Sequence, residues 1–75
     1  MILEKVIAML ADQLGFDEDA INENTDIAEE LGADSLDLVE LMMSAEEEFG
    51  IAVVDDDLAK LRTVGDIVKY IENNM

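Results

Sequence analysis

Apolar residues recur at spacings of three and four in three stretches of this chain, separated by segments without that order. Leu3, Val6, Ile7, Leu10 and Leu14 form the first stripe. It predicts an amphipathic helix from Ile2 or Leu3 to about Leu14, stopped by Gly15. Leu38, Leu41, Met42, Ala45 and Phe49 form the second. With Asp34 and Ser35 before it as acceptors for first-turn amides and Gly50 after it as a stop, this stripe predicts a helix from about Ser35 to Phe49. Val64, Ile67, Val68 and Ile71 form the third, opened by Thr63 and Asp66 at the spacing of a capping box.

The segments between carry other signals. Phe16 to Ala33 has no sustained period and is rich in Asp and Asn, which predicts a long loop with one helical turn around Asp19 to Asn22. A loop of that length in a small domain has to pack through its own side chains, and Phe16, Ile21, Ile27 and Leu31 are the expected anchors. Ile51 to Val54 is apolar and β-branched, but a lone four-residue strand has no partner here, so an extended connection is expected. Asp56 to about Lys60 reads as a short helix with Leu58 and Leu61 turned inward. The pattern therefore predicts an all-α fold: a small four-helix bundle of three longer helices and one short helix, with a long loop between the first two. Periodicity alone leaves three or four helices open.

Composition narrows what such a bundle does. At 75 residues residues 1–75 are expected to form a single small domain, and without cysteine it has no disulfide to staple it. The formal charge is -16, from 20 acidic and 4 basic residues. No Lys or Arg occurs between Val6 and Ala59, while every acidic residue except Glu4, Asp66 and Glu72 lies there. Nucleic acid is a poor partner for such a polyanion, and an anionic membrane surface is disfavoured likewise. A field of one sign suits basic protein surfaces. Met1 to Lys5 has no basic leader before a long apolar core, so no membrane insertion is expected. A cytoplasmic monomer follows, or an organellar one if a transit segment has been removed.

The chemistry concentrates at Ser35. With no His, no Cys and no lysine between Lys5 and Lys60, this serine lacks the base a triad nucleophile needs, and no catalytic residue is expected. It can still be modified by an enzyme that brings its own base and metal, and a phosphate ester there would sit at a helix N-terminus, where free amides and the dipole favour an anion. An EF-hand counted from Asp17 finds Asp19 in place but fails at Ile21, Asn22 and Ala28, so no dedicated metal site is expected. Asp55, Asp56 and Asp57 read as a solvated turn and the acidic start of a short helix.

The run Leu31-Gly32-Ala33-Asp34-Ser35-Leu36-Asp37, followed by Val39-Glu40-Leu41 and Glu46-Glu47-Glu48-Phe49, closely resembles the acyl carrier proteins of dissociated (type II) fatty acid synthesis. The resemblance spans nearly the whole chain. It implies a covalent 4'-phosphopantetheine on Ser35, flanked by Asp34 and Leu36, installed from coenzyme A by holo-acyl-carrier-protein synthase. The arm's thiol then carries acyl intermediates as thioesters. By the same resemblance Asp34, Asp37, Glu40 and Glu47 would meet basic docking patches on fatty acid synthesis enzymes and acyltransferases, with Leu36 and Met43 as apolar contacts. Leu41, Met42, Ala45, Val54, Leu58, Leu61 and Ile67 would line a pocket for the acyl chain. One departure stands out, since the family commonly has proline at the place of Val54, and this leaves the start of the following helix open. Carriers of polyketide, D-alanyl or aminoacyl groups, and a non-covalent acidic interaction module in which Ser35 is only a cap, are the alternatives; the acidity and the Leu-Gly-Ala-Asp-Ser-Leu-Asp run favour fatty acids.

Overall fold

The computed structural model describes residues 2–75, with Asp55 through its backbone alone. What was read from Met1 and from the Asp55 side chain lies outside the described residues. Within them the chain forms four α-helices: α1 at Ile2–Leu14, α2 at Ser35–Phe49, α3 at Asp55–Leu58 and α4 at Val64–Asn73. No strand is present among these residues, and the all-α four-helix bundle expected from the pattern is what forms.

α1 lies against both α4 and α2, while α3 packs on α2. Each long helix turns its apolar stripe to a shared core. Val6 and Leu10 enter it from α1, Leu41, Met42 and Ala45 from α2, and Val64, Ile67 and Ile71 from α4. Such a core draws on transfer of aliphatic surface from water, since aromatics are only 4% of the chain. α2 ends on Gly50 in the left-handed region at φ 67°, a conformation that glycine adopts without the Cβ penalty.

The long connection is anchored differently from the expectation. Ile21, Ile27 and Leu31 are buried, but Phe16 is exposed. Thr25 is buried in its stead, with its Oγ1 accepting from the Asn22 amide at 2.9 Å. The helical turn is a short 3-10 segment, Glu18–Ala20, closed by the Ile21 amide donating to the Glu18 carbonyl at 3.1 Å. It therefore begins before Asp19 and ends before Asn22. The Asn22 side chain is engaged elsewhere, accepting from the Asn24 amide at 2.8 Å.

Main-chain bonds fasten this loop to the start of α4. The Ile27 amide donates to Arg62 at 2.9 Å, Val64 donates to Thr25 at 3.1 Å and Gly65 donates to Glu23 at 2.8 Å. Gly65 permits the last of these, because a Cβ there would lie 3.1 Å from the Glu23 carbonyl oxygen. The extended segment before α3 is held by side chains: the Val53 amide donates to Glu46 Oε2 at 2.8 Å and the Val54 amide to the Tyr70 hydroxyl at 3.1 Å. The same hydroxyl donates to Asp57 Oδ2 at 3.0 Å. A proline at Val54 could not make the amide bond. α3 thus starts at Asp55 rather than Asp56 and is over at Leu58, where the Lys60 and Leu61 amides turn to bonds three residues back.

Candidate functional site

The site is built at the first turn of α2. Asp34 is its N-cap, with Oδ1 accepting from the Asp37 amide at 3.0 Å, and Asp37 Oδ2 returns the bond by accepting from the Asp34 amide at 3.2 Å. This reciprocal box satisfies two donors that would otherwise be orphaned. Gln13 Nε2 adds a bond to the Asp37 carbonyl at 2.7 Å, tying the turn to α1. Gly32, at φ 69°, lets the loop reverse into it, and the Ala33 amide donates to the Ile27 carbonyl at 3.2 Å.

Ser35 is left exposed as the first helical residue. It was read beside Asp34 as a second acceptor for the first turn, but the cap falls to Asp34 alone and the Ser35 hydroxyl makes no hydrogen bond among the described residues. The Ser35 and Leu36 amides likewise have no protein acceptor. The helix dipole and these two donors favour an anionic ester on the serine oxygen.

Ser35 also lies on the edge of a cleft of about 420 Å³. Its apolar lining includes Ile27 and Ala33 on the loop, Leu38 on α2 and Leu58 and Leu61 around α3, and its charged lining includes Asp26, Glu29 and Arg62. An adjoining groove shares Ser35, Leu38 and Leu58 and adds Val39. An exposed hydroxyl with free amides beside it, opening onto an apolar cleft, fits a phosphodiester arm with an apolar load.

The other candidate residues fall in different places. Leu36 and Met43 are 65% and 59% exposed, and Glu40 and Glu47 are exposed on the same helix, where they line a shallow depression with Met43. Asp37 is half-buried and spends its carboxylate on the cap. Leu58 and Leu61 line the cleft. Leu41, Met42, Ala45 and Ile67 are core residues without a share in that cleft, and Val54 is 55% exposed outside it. Ala33, Leu38 and Ile27 are the lining that sequence selection missed. Leu38 was assigned to the core stripe and Ile27 to the loop anchors, and each faces both tasks.

Two carboxyls are perturbed near this end of the bundle. Asp26 is held below the usual carboxylate range, first by the Glu29 amide bonded to it at 2.8 Å and then by Arg62. Asp66 is lowered by the Thr63 and Arg62 amides, both bonded to its Oδ2.

Residues 4–71 match the family model described as "Phosphopantetheine attachment site". The chain is 50% identical to an acyl carrier protein of Thermotoga maritima over 74 residues, covering 99% of this chain and 91% of that one. Among solved structures it is similar to the acyl carrier protein of Enterococcus faecalis, with TM-score 0.83, 32% identity, and coverage of 99% of this chain and 94% of the other. A crystal structure of an acyl carrier protein from Thermotoga maritima gives TM-score 0.80 at 28% identity, covering 93% of this chain and 81% of that one.

Proposed function

From the premise that this chain belongs to the acyl carrier proteins, the phosphopantetheine-attachment family, we propose that Ser35 is the residue esterified by the arm and that the loaded protein carries acyl intermediates of fatty acid synthesis. The cofactor is a covalently attached 4'-phosphopantetheine. Its thiol supplies the thioester chemistry; the residues of this chain hold and present it.

The observation that carries the assignment is the state of Ser35: exposed, without a hydrogen-bond partner for its hydroxyl, and on the lip of the cleft. Ser35 Oγ would form the new bond to phosphorus as the bond to the nucleotide of coenzyme A breaks, with its proton passing to a base on the transferase. The carboxylate next in sequence, Asp34, is engaged in the helix cap, and the base is assigned to the transferase. The chain is a carrier rather than a catalyst, and its partners do the chemistry.

Docking follows from charge. The exposed acids Glu40 and Glu47 and the cap residues Asp34 and Asp37 would meet basic patches on holo-acyl-carrier-protein synthase, fatty acid synthesis enzymes and acyltransferases, and Leu36 and Met43 would add apolar contact. A carrier that serves many enzymes gains from fast, steered encounters more than from a large apolar interface. No helix of the described residues is long and apolar enough to cross a membrane, and a monomeric cytoplasmic carrier is the setting we assign. Leu58 and Leu61, with Leu38, line the cleft and would receive the first part of an acyl chain; to reach Leu41, Met42, Ala45 and Ile67 the chain would have to part the core.

The test is intact mass before and after incubation with coenzyme A, magnesium and a broad-specificity phosphopantetheinyl transferase. A gain of one phosphopantetheinyl group, absent in Ser35→Ala, supports the assignment. No gain on folded, unmodified protein leaves Ser35 as a plain helix residue and favours the acidic interaction module. Loading by candidate acyl ligases then separates fatty acids from polyketide, D-alanyl or aminoacyl cargo.

A further inference from the structure

The carrier reading leaves one cluster on the cleft without a task. Arg62, between α3 and α4, is fixed to the loop twice. Its carbonyl accepts from the Ile27 amide at 2.9 Å, and its Nε donates to Asp26 Oδ2 at 3.1 Å. Its Nη2 also lies 3.9 Å from Glu29 Oε1. All three side chains line the cleft that holds Ser35.

The carboxylate in this pair is set in place before the guanidinium reaches it. Asp26 Oδ1 accepts from the Glu29 amide at 2.8 Å, and the Asp26 amide donates to Glu30 Oε2 at 2.7 Å. The Asp26 side chain is only 16% exposed, against 72% for Arg62. A solvated arm is thus bonded to an acceptor that its own turn holds in place. The pair joins two walls that are distant in sequence, the loop that contributes Ile27 and Ala33 and the turn that contributes Leu58 and Leu61.

Resting on the carrier reading, we propose that Arg62 is a specificity-determining residue, whose ion pair with Asp26 straps the two walls of the cleft together and sets the length of acyl chain shielded from water. The cleft that opens at Ser35 is lined both by apolar side chains, Leu38, Leu58 and Leu61 among them, and by the charged pair. A chain within that lining is covered. Methylenes driven further have to displace or desolvate a paired charge, which opposes them. With the strap broken the loop stays bonded to Arg62 through the Ile27 amide, but the side-chain bridge across the cleft is gone and water reaches a chain that was covered.

The experiment charges the parent protein, Arg62→Gln, Asp26→Asn and the double variant with acetyl and octanoyl groups on the arm, and measures thioester cleavage by hydroxylamine. Asparagine at position 26 keeps an acceptor for the Glu29 amide, so the turn survives while the charge is lost. The octanoyl form of each single variant should be cleaved about threefold faster than the parent, the scale of an exposed ion pair. The double variant should be no faster than either single one, because both remove one interaction. Lys60→Gln, which removes the same charge from a side chain 80% exposed and outside the cleft, should leave the octanoyl rate unchanged. Equal octanoyl rates in all variants, additive effects, an equal rise in Lys60→Gln, or acetyl and octanoyl rates rising together would each overturn the strap. Failure of the parent to take the arm on Ser35 would instead overturn the carrier reading.

Discussion

α2 and α4 begin with the same device and use it to opposite ends. Each has a reciprocal cap, Asp34 with Asp37 and Thr63 with Asp66. At α4 the cap is built into the fold: the Arg62 and Thr63 amides both donate to Asp66 Oδ2, the loop pairs with the residues on either side, and buried Val64 follows at once. At α2 the cap is exposed, and next to it come a serine hydroxyl and two amides that have no partner among the described residues. One helix start is tied to the loop and contributes stability. The other is rigid but open, which is what a site for modification by a second enzyme requires.

The sharpest separation of the two is between chemistry and stability. Ser35→Ala should abolish attachment of the arm while changing unfolding free energy by no more than about 0.5 kcal/mol, as for other exposed positions. Paired mass spectrometry and urea titration would show this. Ile67→Ala, in the first turns of α4 and fully buried, should do the reverse. It should cost about 2–5 kcal/mol, seen as a lower urea midpoint, yet the fraction that remains folded should still accept the arm. A Ser35→Ala protein as destabilised as Ile67→Ala would erase the contrast.

The caps themselves come next. Thr63→Ala and Asp34→Ala should each lose about 1 kcal/mol, but only the second should also slow arm attachment, since it disturbs the turn that presents Ser35. Acid probes the α4 cap further. Asp66 is held below its ordinary value by the Thr63 and Arg62 amides, so the unfolded chain binds a proton there more readily than the native one. Its stabilisation is complete above the unfolded value of about 3.9 and is lost as pH falls through the lower native value. Asp66→Asn should therefore flatten the acid limb of the stability curve. An unchanged limb would mean that the Thr63 and Arg62 amides do not favour the charged form of Asp66.

Much of this arrangement was legible in the sequence because it is local. The stripes from Leu3 to Leu14, from Leu38 to Phe49 and from Val64 to Ile71 marked three helices, and Thr63 with Asp66 marked a cap by spacing alone. The Asp34 and Asp37 box has the same spacing, yet Asp37 reads equally well as an outward acid, and only the folded turn brings its carboxylate back to the Asp34 amide. The cleft was less legible. Its walls depend on pairings such as Asp26 with Arg62 and Thr25 with Val64, which join segments far apart in the chain and leave no periodic trace. Phe16 misled for a related reason: apolar character alone does not say which loop residue finds room, and Thr25 could be buried because a neighbouring amide satisfies its hydroxyl.

The smallest effects should come from single acids on the open side of α2, and they sharpen the contrast between site and scaffold. Glu40 and Glu47 are exposed, and no partner for either is present among the described hydrogen bonds and ion pairs. The nearby helix end is different, since Glu48 is already paired with Lys5 at 3.0 Å. Glu40→Gln or Glu47→Gln should weaken binding of the arm-loaded protein to a fatty acid synthesis enzyme with a basic patch by less than about fivefold. The loss should lie mainly in the association rate and should shrink as salt rises, because steering by exposed charges is screened within about 8 Å at physiological ionic strength. Stability should rise slightly if it changes at all, since removing one negative charge from a chain of formal charge -16 lessens self-repulsion. Stopped-flow association at two salt concentrations measures the first effect and urea titration the second. Salt-insensitive binding with a change confined to dissociation would move the recognition from this acidic face to the apolar Leu36 and Met43, and the open helix start would then present a hydrophobic surface in place of a charged one.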